Sequence, residues 1–293
     1  MPIVTFWNNR REQTGKTLTS VAVATKMAIE RNFKILLIST GYKDPTMKNC
    51  FWVSANKNKN SFLGPRNNIA VENGIEGLSK LIKSNKIQPS IITDYTKVIF
   101  KGRLEVLSGY VGAPDKNNDE NLQDYRDLSD CYVELVKLAN QYYDMVLVDL
   151  DNKLEESVKK EILDISNVNV LVLSQRIVSL DSYNNMKNNE KELVGPKCIP
   201  VIAKYNKKTK YNKKNIMKYL EEKKDLNLVP FNTLFFEAAE EANVTEFFLK
   251  LRDIKDTTDT NYFFMSEVLK LTNAIITRIQ DLQMKMRWKN VYI

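Results

Sequence analysis

One stretch of the chain has the residue types and the order to do chemistry: Arg10-Arg11-Glu12-Gln13-Thr14-Gly15-Lys16-Thr17. It follows a short apolar run at residues 3–6 and precedes a run of helical periodicity at 16–31, so it falls at a strand-to-helix junction. Backbone N–H groups and a helix N-terminus converge at such a junction, which suits phosphate oxygens. Lys16 is then placed to contact β and γ phosphates, and the Thr17 hydroxyl to bind Mg²⁺. The chain has no histidine, which excludes Ser-His-Asp and Cys-His catalysis and the usual zinc sets. Any reaction must use carboxylates, lysine, arginine and backbone amides. Cys50, Cys131 and Cys198 lie far apart without paired spacing and are expected as reduced thiols.

The elements that must position these residues are read from apolar patterning. Strands are expected at 3–6, 35–38, 97–100, 104–107, 145–150, 169–173, 199–203 and 226–229. Helices are expected at 16–31, 74–83, 128–142, 155–164, 181–192 and 212–222, and from about Leu234 to the C-terminus. Residues 40–73 read as a long polar connection, and residues 109–127 as a polar surface loop. Several strands are apolar throughout, which implies burial on both faces. The expected fold is therefore α/β: a doubly wound, mainly parallel sheet covered by helices on both faces. Residues 1–260 form the expected nucleotide-binding domain. Residues 261–293 form a C-terminal helix that packs on it or serves as a partner or membrane contact.

From these residues the chain resembles the ParA/MinD family of P-loop ATPases, whose loop reads K-G-G-x-G-K-T. Gly15, Lys16 and Thr17 match, and Arg11 falls where the family has its signature lysine, which crosses an ATP-bound dimer. Glu12 and Gln13 replace two glycines; the Glu12 carboxylate repels phosphates unless it turns away. The resemblance assigns ATP to Gln13, Thr14, Gly15, Lys16, Thr17 and Leu18, with Pro230 and Asn232 near the base. It assigns Mg²⁺ to Thr17 and Asp149, since Val146-Leu147-Val148-Asp149 resembles the Walker B strand. Catalytic roles fall to Lys16, Arg11 and Asp44. The family's acidic pair after the second strand is absent at residues 39–41. Asp44 takes the water-positioning role if the loop runs longer; as part of Asp44-Pro45 it also reads as a turn former.

Two surfaces suggest partners. Residues 204–218, from Lys204 to Lys218, hold seven lysines, no acid, and Tyr205 and Tyr211 interleaved. Such a run suits the nucleic-acid backbone, and equally a solvated face in a Lys/Asn-rich chain. Phe264, Val268, Leu271, Ile275, Ile279, Leu282 and Met286 form a stripe that suits core or dimer packing, or a membrane surface. The charge of +8 decides between none of these. No apolar run is long enough to span a bilayer and no signal-peptide pattern is present, so a cytoplasmic protein is expected. The resemblance implies an ATP-binding switch that positions a cargo, by plasmid or chromosome partition or by localising a pilus or secretion machine. A nucleotide-dependent homodimer is implied with it. A scaffold that kept the fold and lost hydrolysis is the alternative.

Overall fold

The computed structural model describes residues 1–10, 12–52, 74–84, 87–113, 115–222 and 225–291, the side chains only as far as residue 285. The continuous apolar runs become strands buried on both faces: β1 (Ile3–Trp7), β2 (Ile35–Ser39), β4 (Leu104–Leu107), β5 (Met145–Asp149) and β6 (Val168–Leu173). With β3 (Lys97–Phe100), β7 (Cys198–Tyr205) and β8 (Asn227–Pro230) they form one eight-stranded sheet in the order β3-β4-β2-β5-β1-β6-β7-β8. Only the half-exposed β3 runs antiparallel, as an edge strand on β4. β1 is flanked by β5 and β6, so the chain leaves it toward β2 on one side and later builds β6 on the other. The crevice at the carboxyl end of such a strand is where open α/β sheets bind ligands.

Ten α-helices are described: α1 (Lys16–Glu30), α2 (Thr46–Asn49), α3 (Ile75–Lys83), α4 (Asn118–Ala139), α5 (Glu156–Ile165), α6 (Ile177–Asn189), α7 (Lys213–Tyr219), α8 (Thr233–Glu240), α9 (Val244–Lys250) and α10 (Thr260–Val291). Strand alternation divides the core in two. Val4, Phe6, Leu37, Leu147 and Val170 face α1, α9 and α10, while Trp7, Ile38, Val148 and Leu171 face α4, α5 and α6. Phe264, Val268, Leu271, Ile275 and Ile279 are buried in the first of these cores, so the C-terminal stripe packs against the sheet as far as Ile279. Leu282 is partly buried there too, and Met286 lies beyond the described side chains. No helix among the described residues is long and apolar enough to cross a membrane.

One expectation fails plainly. Residues 109–127 are not all loop, because α4 starts at Asn118, ten residues before the expected helix. Asn117 Oδ1 accepts from the Glu120 N–H at 2.9 Å, and Glu120 Oε2 accepts from the Asn117 N–H at 3.0 Å. This capping box satisfies two orphan donors and lets a polar sequence begin a helix. Asn121, Tyr125 and Tyr132 then carry its buried face. Likewise α6 begins at Ile177 rather than 181. Of the 40–73 connection, residues 46–49 form α2 and 53–73 lie outside the described residues. All three cysteines are free and buried.

Candidate nucleotide site

The loop after β1 is shaped by amides rather than by glycines. Asn8, buried at the strand end, donates to the Arg10 and Glu12 carbonyls at 2.7 and 3.1 Å. Asn152 donates to Asn8 Oδ1 at 3.0 Å and to the same Arg10 carbonyl at 2.7 Å. The loop ends at Gly15, the residue before α1, with a φ of 87° that strains any L side chain. Glu12, in place of a glycine, directs one carboxylate oxygen to Arg10 at 3.6 Å and Arg176 at 3.8 Å. That pairing is the turn-away a phosphate-binding loop requires of an acid at this position. The other oxygen is buried without a partner, as is the Thr14 hydroxyl. Gln13 projects its side chain to solvent, and Arg11 lies outside the described residues.

Lys16 and Thr17 open α1 and converge on Asp149 at the end of β5. The Lys16 ammonium donates to Asp149 Oδ1, and the Thr17 hydroxyl donates to Oδ2 at 2.7 Å. Both side chains of the ion pair are largely buried. β5 lies directly beside β1, with Asp149 in register with Phe6, which explains why residues so distant in sequence meet. A hydroxyl and a carboxylate side by side fit Mg²⁺, which takes one or two protein oxygens and completes its shell with water and phosphate. Among the described residues no cluster of three or more acids, cysteines or histidines could hold a metal by itself. The buried Cys50 thiol reports the acidic surroundings: burial, then the charges of Glu240, Asp44 and Asp149, push its pKa up to about 12.

The loops beside this pair are tied together. The Thr40 N–H and hydroxyl both donate to the Asp149 carbonyl, at 3.1 and 3.2 Å. The Asp151 N–H donates to the Thr40 hydroxyl at 2.7 Å, and the Tyr42 N–H to Asp151 Oδ2 at 3.0 Å. Tyr42 stacks on Tyr110 at 5.9 Å, and the Tyr125 hydroxyl donates to the Thr40 carbonyl at 2.6 Å. Asp44 stands exposed just beyond, where Oδ1 accepts from the Thr46 N–H and hydroxyl at 2.9 and 2.6 Å. This Asx turn opens α2, as the Asp44-Pro45 pair implies.

At the far rim Pro230 ends β8, and Asn232 caps α8 by accepting from the Phe235 N–H at 2.8 Å. Its amide also donates to Asn261 at 2.8 Å, so both ends of that side chain are engaged. Leu18 packs into the α1-side core. The basic stretch divides: Tyr205 is buried, Lys213 pairs with Asp225 at 2.6 Å, and Lys207 and Lys210 lie over the Phe263 and Tyr211 rings. Lys204 reaches the phosphate loop itself and donates to the Gln13 carbonyl at 3.0 Å. Sequence reasoning missed Asn8, Asn152 and this contact. For the amides, only their position at two strand ends hinted at a role.

A strand, a loop and a helix carrying Lys-Thr beside a second strand's aspartate are the elements of the P-loop α/β fold. No family model and no curated protein matches the chain. Solved structures do. A ParA family ATPase from Chlorobium tepidum superposes with a TM-score of 0.64 at 12% identity, over 92% of this chain and 98% of that one. The septum site-determining protein MinD from Pyrococcus horikoshii, complexed with Mg-ADP, gives 0.62 at 13%, over 94% and 95%. A putative plasmid partition protein from Borrelia burgdorferi, bound to AMPPNP, gives 0.57 at 16%, over 97% and 99%. The chain has the ParA/MinD-type P-loop fold along almost its whole length.

Proposed function

We propose that the chain is a Mg-ATP-binding switch that positions a cargo in the cell, in the manner of the partition and cell-division ATPases whose fold it has. The observation that carries this reading is the convergence of Lys16 and Thr17 on Asp149 at the carboxyl edge of the sheet. On binding, Lys16 would exchange its carboxylate partner for phosphate oxygens, and Thr17 and Asp149 would hold Mg²⁺, which screens the phosphate charge. The N–H groups of residues 13–18 would line the phosphates, and the rim at Pro230 and Asn232 would border the base. Similar proteins bound to AMPPNP and complexed with Mg-ADP support the choice of ligand. The test is thermal: millimolar Mg-ATP should raise the melting temperature, since saturation at 100 times Kd adds ~2.7 kcal/mol. No rise for the wild type refutes the site, and a rise that survives Lys16→Ala refutes this assignment of it.

Hydrolysis is proposed to be slow or lost. The observation favouring this is Asp44, the candidate water-positioning acid, which stands exposed with Oδ1 engaged by Thr46. Robust turnover that survives Asp44→Asn would sink both the slow-ATPase reading and the assignment of Asp44. Nucleotide is further proposed to favour a homodimer with Arg11 crossing between protomers, its charge offsetting two facing triphosphates. Light scattering with AMPPNP checks this: a monomer at saturation, or a dimer indifferent to Arg11→Ala, refutes it. The protein is proposed to act in the cytoplasm, at the nucleoid through the basic 204–218 segment or at a membrane or machine through the end of α10. Loss of DNA retention in a Lys207→Glu/Lys208→Glu variant would assign the first; no retention by the wild type would exclude it.

A further inference from the structure

Lys204 breaks the pattern of the strand that carries it. Alternation along β7 should send residues 202 and 204 to one face, yet Ile202 and Tyr205, three apart, enter the same core. The register with β8 shifts between Ala203 and Tyr205, and Lys204 has a φ of 51°. The strand thus bulges at a lysine held in the left-handed region, a strain that persists only where surrounding structure imposes it.

The bulge turns the lysine onto the phosphate loop. A Cβ at Gly15 would come within 3.2 Å of both Cγ and Cε of Lys204, so its methylenes lie flat on the loop backbone. The ammonium donates to the Gln13 carbonyl at 3.0 Å. Gln13 C=O and Thr14 N–H belong to one trans peptide and point opposite ways. On that opposite side the Thr14 N–H meets, among the described residues, the Glu12 carbonyl alone, at 2.9 Å, across a bent three-residue turn that a charged oxygen would outcompete. The charges differ as well. The ammonium of Lys16 is matched by Asp149, whereas Lys204 forms no ion pair among the described residues.

We infer that Lys204 is a positioning residue for the polyphosphate, clamping the 13–14 peptide from outside the loop and setting an unneutralised charge beside it. It does so in a loop where Glu12 and Gln13 stand in place of glycines. The inference rests on the nucleotide reading above.

Calorimetry with Mg-AMPPNP on the full chain tests it, using Lys204→Met and Lys204→Gly beside the wild type and Lys16→Ala. The Met variant keeps the methylenes over Gly15 and removes the donor and the charge. The Gly variant also relieves the positive φ. Both should raise Kd about tenfold, the scale of one charge-assisted hydrogen bond. Without nucleotide, the Gly variant should melt no lower than the wild type. A purely structural lysine gives the reverse: a lower melting temperature and a Kd within twofold of wild type, which overturns the inference. If the wild type binds and Lys16→Ala does not, while both Lys204 variants bind normally, only the role of Lys204 falls. If the wild type does not bind AMPPNP, the nucleotide reading fails and Lys204's role falls with it.

Discussion

Asp149→Asn puts the centre of the site to a quantitative test. The Asp149 carboxylate faces the Lys16 ammonium with the two side chains only 5% and 13% exposed, and its second oxygen holds the Thr17 hydroxyl at 2.7 Å. The asparagine amide preserves size and removes the charge, leaving Lys16 uncompensated in a poorly hydrated place. Removing one partner of a buried pair costs about 3–5 kcal/mol, and the residual exposure of Lys16 argues for the lower end, about 3 kcal/mol. At roughly 2–4 °C per kcal/mol for a domain of this size, the melting temperature should fall by about 6–12 °C. Lys16→Met, which strands the carboxylate instead, should cost a similar amount. The double variant removes both charges and should cost about as much as either single variant rather than their sum, a coupling of about 3 kcal/mol. Thermal and urea unfolding followed by circular dichroism, at pH 7 without nucleotide, measure all four proteins. If Asp149→Asn melts within 2 °C of wild type, or the two losses simply add, the carboxylate does not neutralise Lys16 and the site's electrostatics are misread.

Arg176→Ala uncovers the Glu12 carboxylate on one side and leaves Arg10 on the other; Mg-AMPPNP binding should weaken about two- to fivefold by calorimetry, the scale of an exposed ion pair. An unchanged Kd would mean that Glu12 does not face the phosphates' field. Asn121→Ala removes a fully buried amide that accepts from Tyr110 and Ala113 and donates to the carbonyls of Ala113, Lys116 and Asn117. The loss should be about 2–4 kcal/mol in urea, with an unchanged m-value. The Cys50 thiol, raised from its ordinary 9.0 to about 12, stays protonated in the folded chain while the unfolded chain ionises. Its contribution is therefore complete below pH 9 and lost as pH rises toward 12, at about 1.4 kcal/mol per pH unit. Subtracting the stability of Cys50→Ala across that window should expose the slope, and parallel curves would contradict the burial argument.

Strand identity was legible because the central strands are apolar on both faces, with single polar exceptions such as Thr5 and Asn169, a pattern that a sheet covered on both faces explains. Gly15-Lys16-Thr17 was legible for a different reason: its spacing is set by one local loop, so it does not depend on distant partners. The failures follow from the same distinction. Asn8 and Asn152 shape the loop across 144 residues of sequence, and Lys204 reaches Gln13 across 191. Nothing local announces either contact, because a β-bulge and a positive φ at lysine contradict its ordinary preferences. The start of α4 is the instructive miss. Counting polar residues gave a loop, but Asn117-Asn118-Asp119-Glu120 has the three-residue spacing of a capping box, with acids in the first turn where the helix dipole favours them.

The loops after β2 and β5 are coupled in this chain by bonds that neither could keep while moving alone. Thr40 is the hinge of the coupling, donating twice to the Asp149 carbonyl and accepting from the Asp151 N–H. Tyr42 extends it, its N–H on Asp151 and its ring on Tyr110, while the Lys43 N–H bonds the Tyr110 carbonyl at 2.8 Å. A Cβ at Gly109 would come within 2.3 Å of the Gly41 carbonyl oxygen, so the post-β4 loop is pressed against the same segment. The Tyr125 hydroxyl on the Thr40 carbonyl closes the set onto α4. Sliding residues 40–42 past 149–151 by a few ångströms would break at least four of these hydrogen bonds in a region where water has little access to replace them, each costing about 1–3 kcal/mol if left unmade. Rotating the two loops together with the post-β4 loop and α4 breaks none of them. Any change at Lys16 and Asp149 is therefore passed on most cheaply as a concerted shift of these three loops and α4, and the tyrosine cluster ties the carboxyl end of the sheet to the surface helix that carries its polar, capped N-terminus.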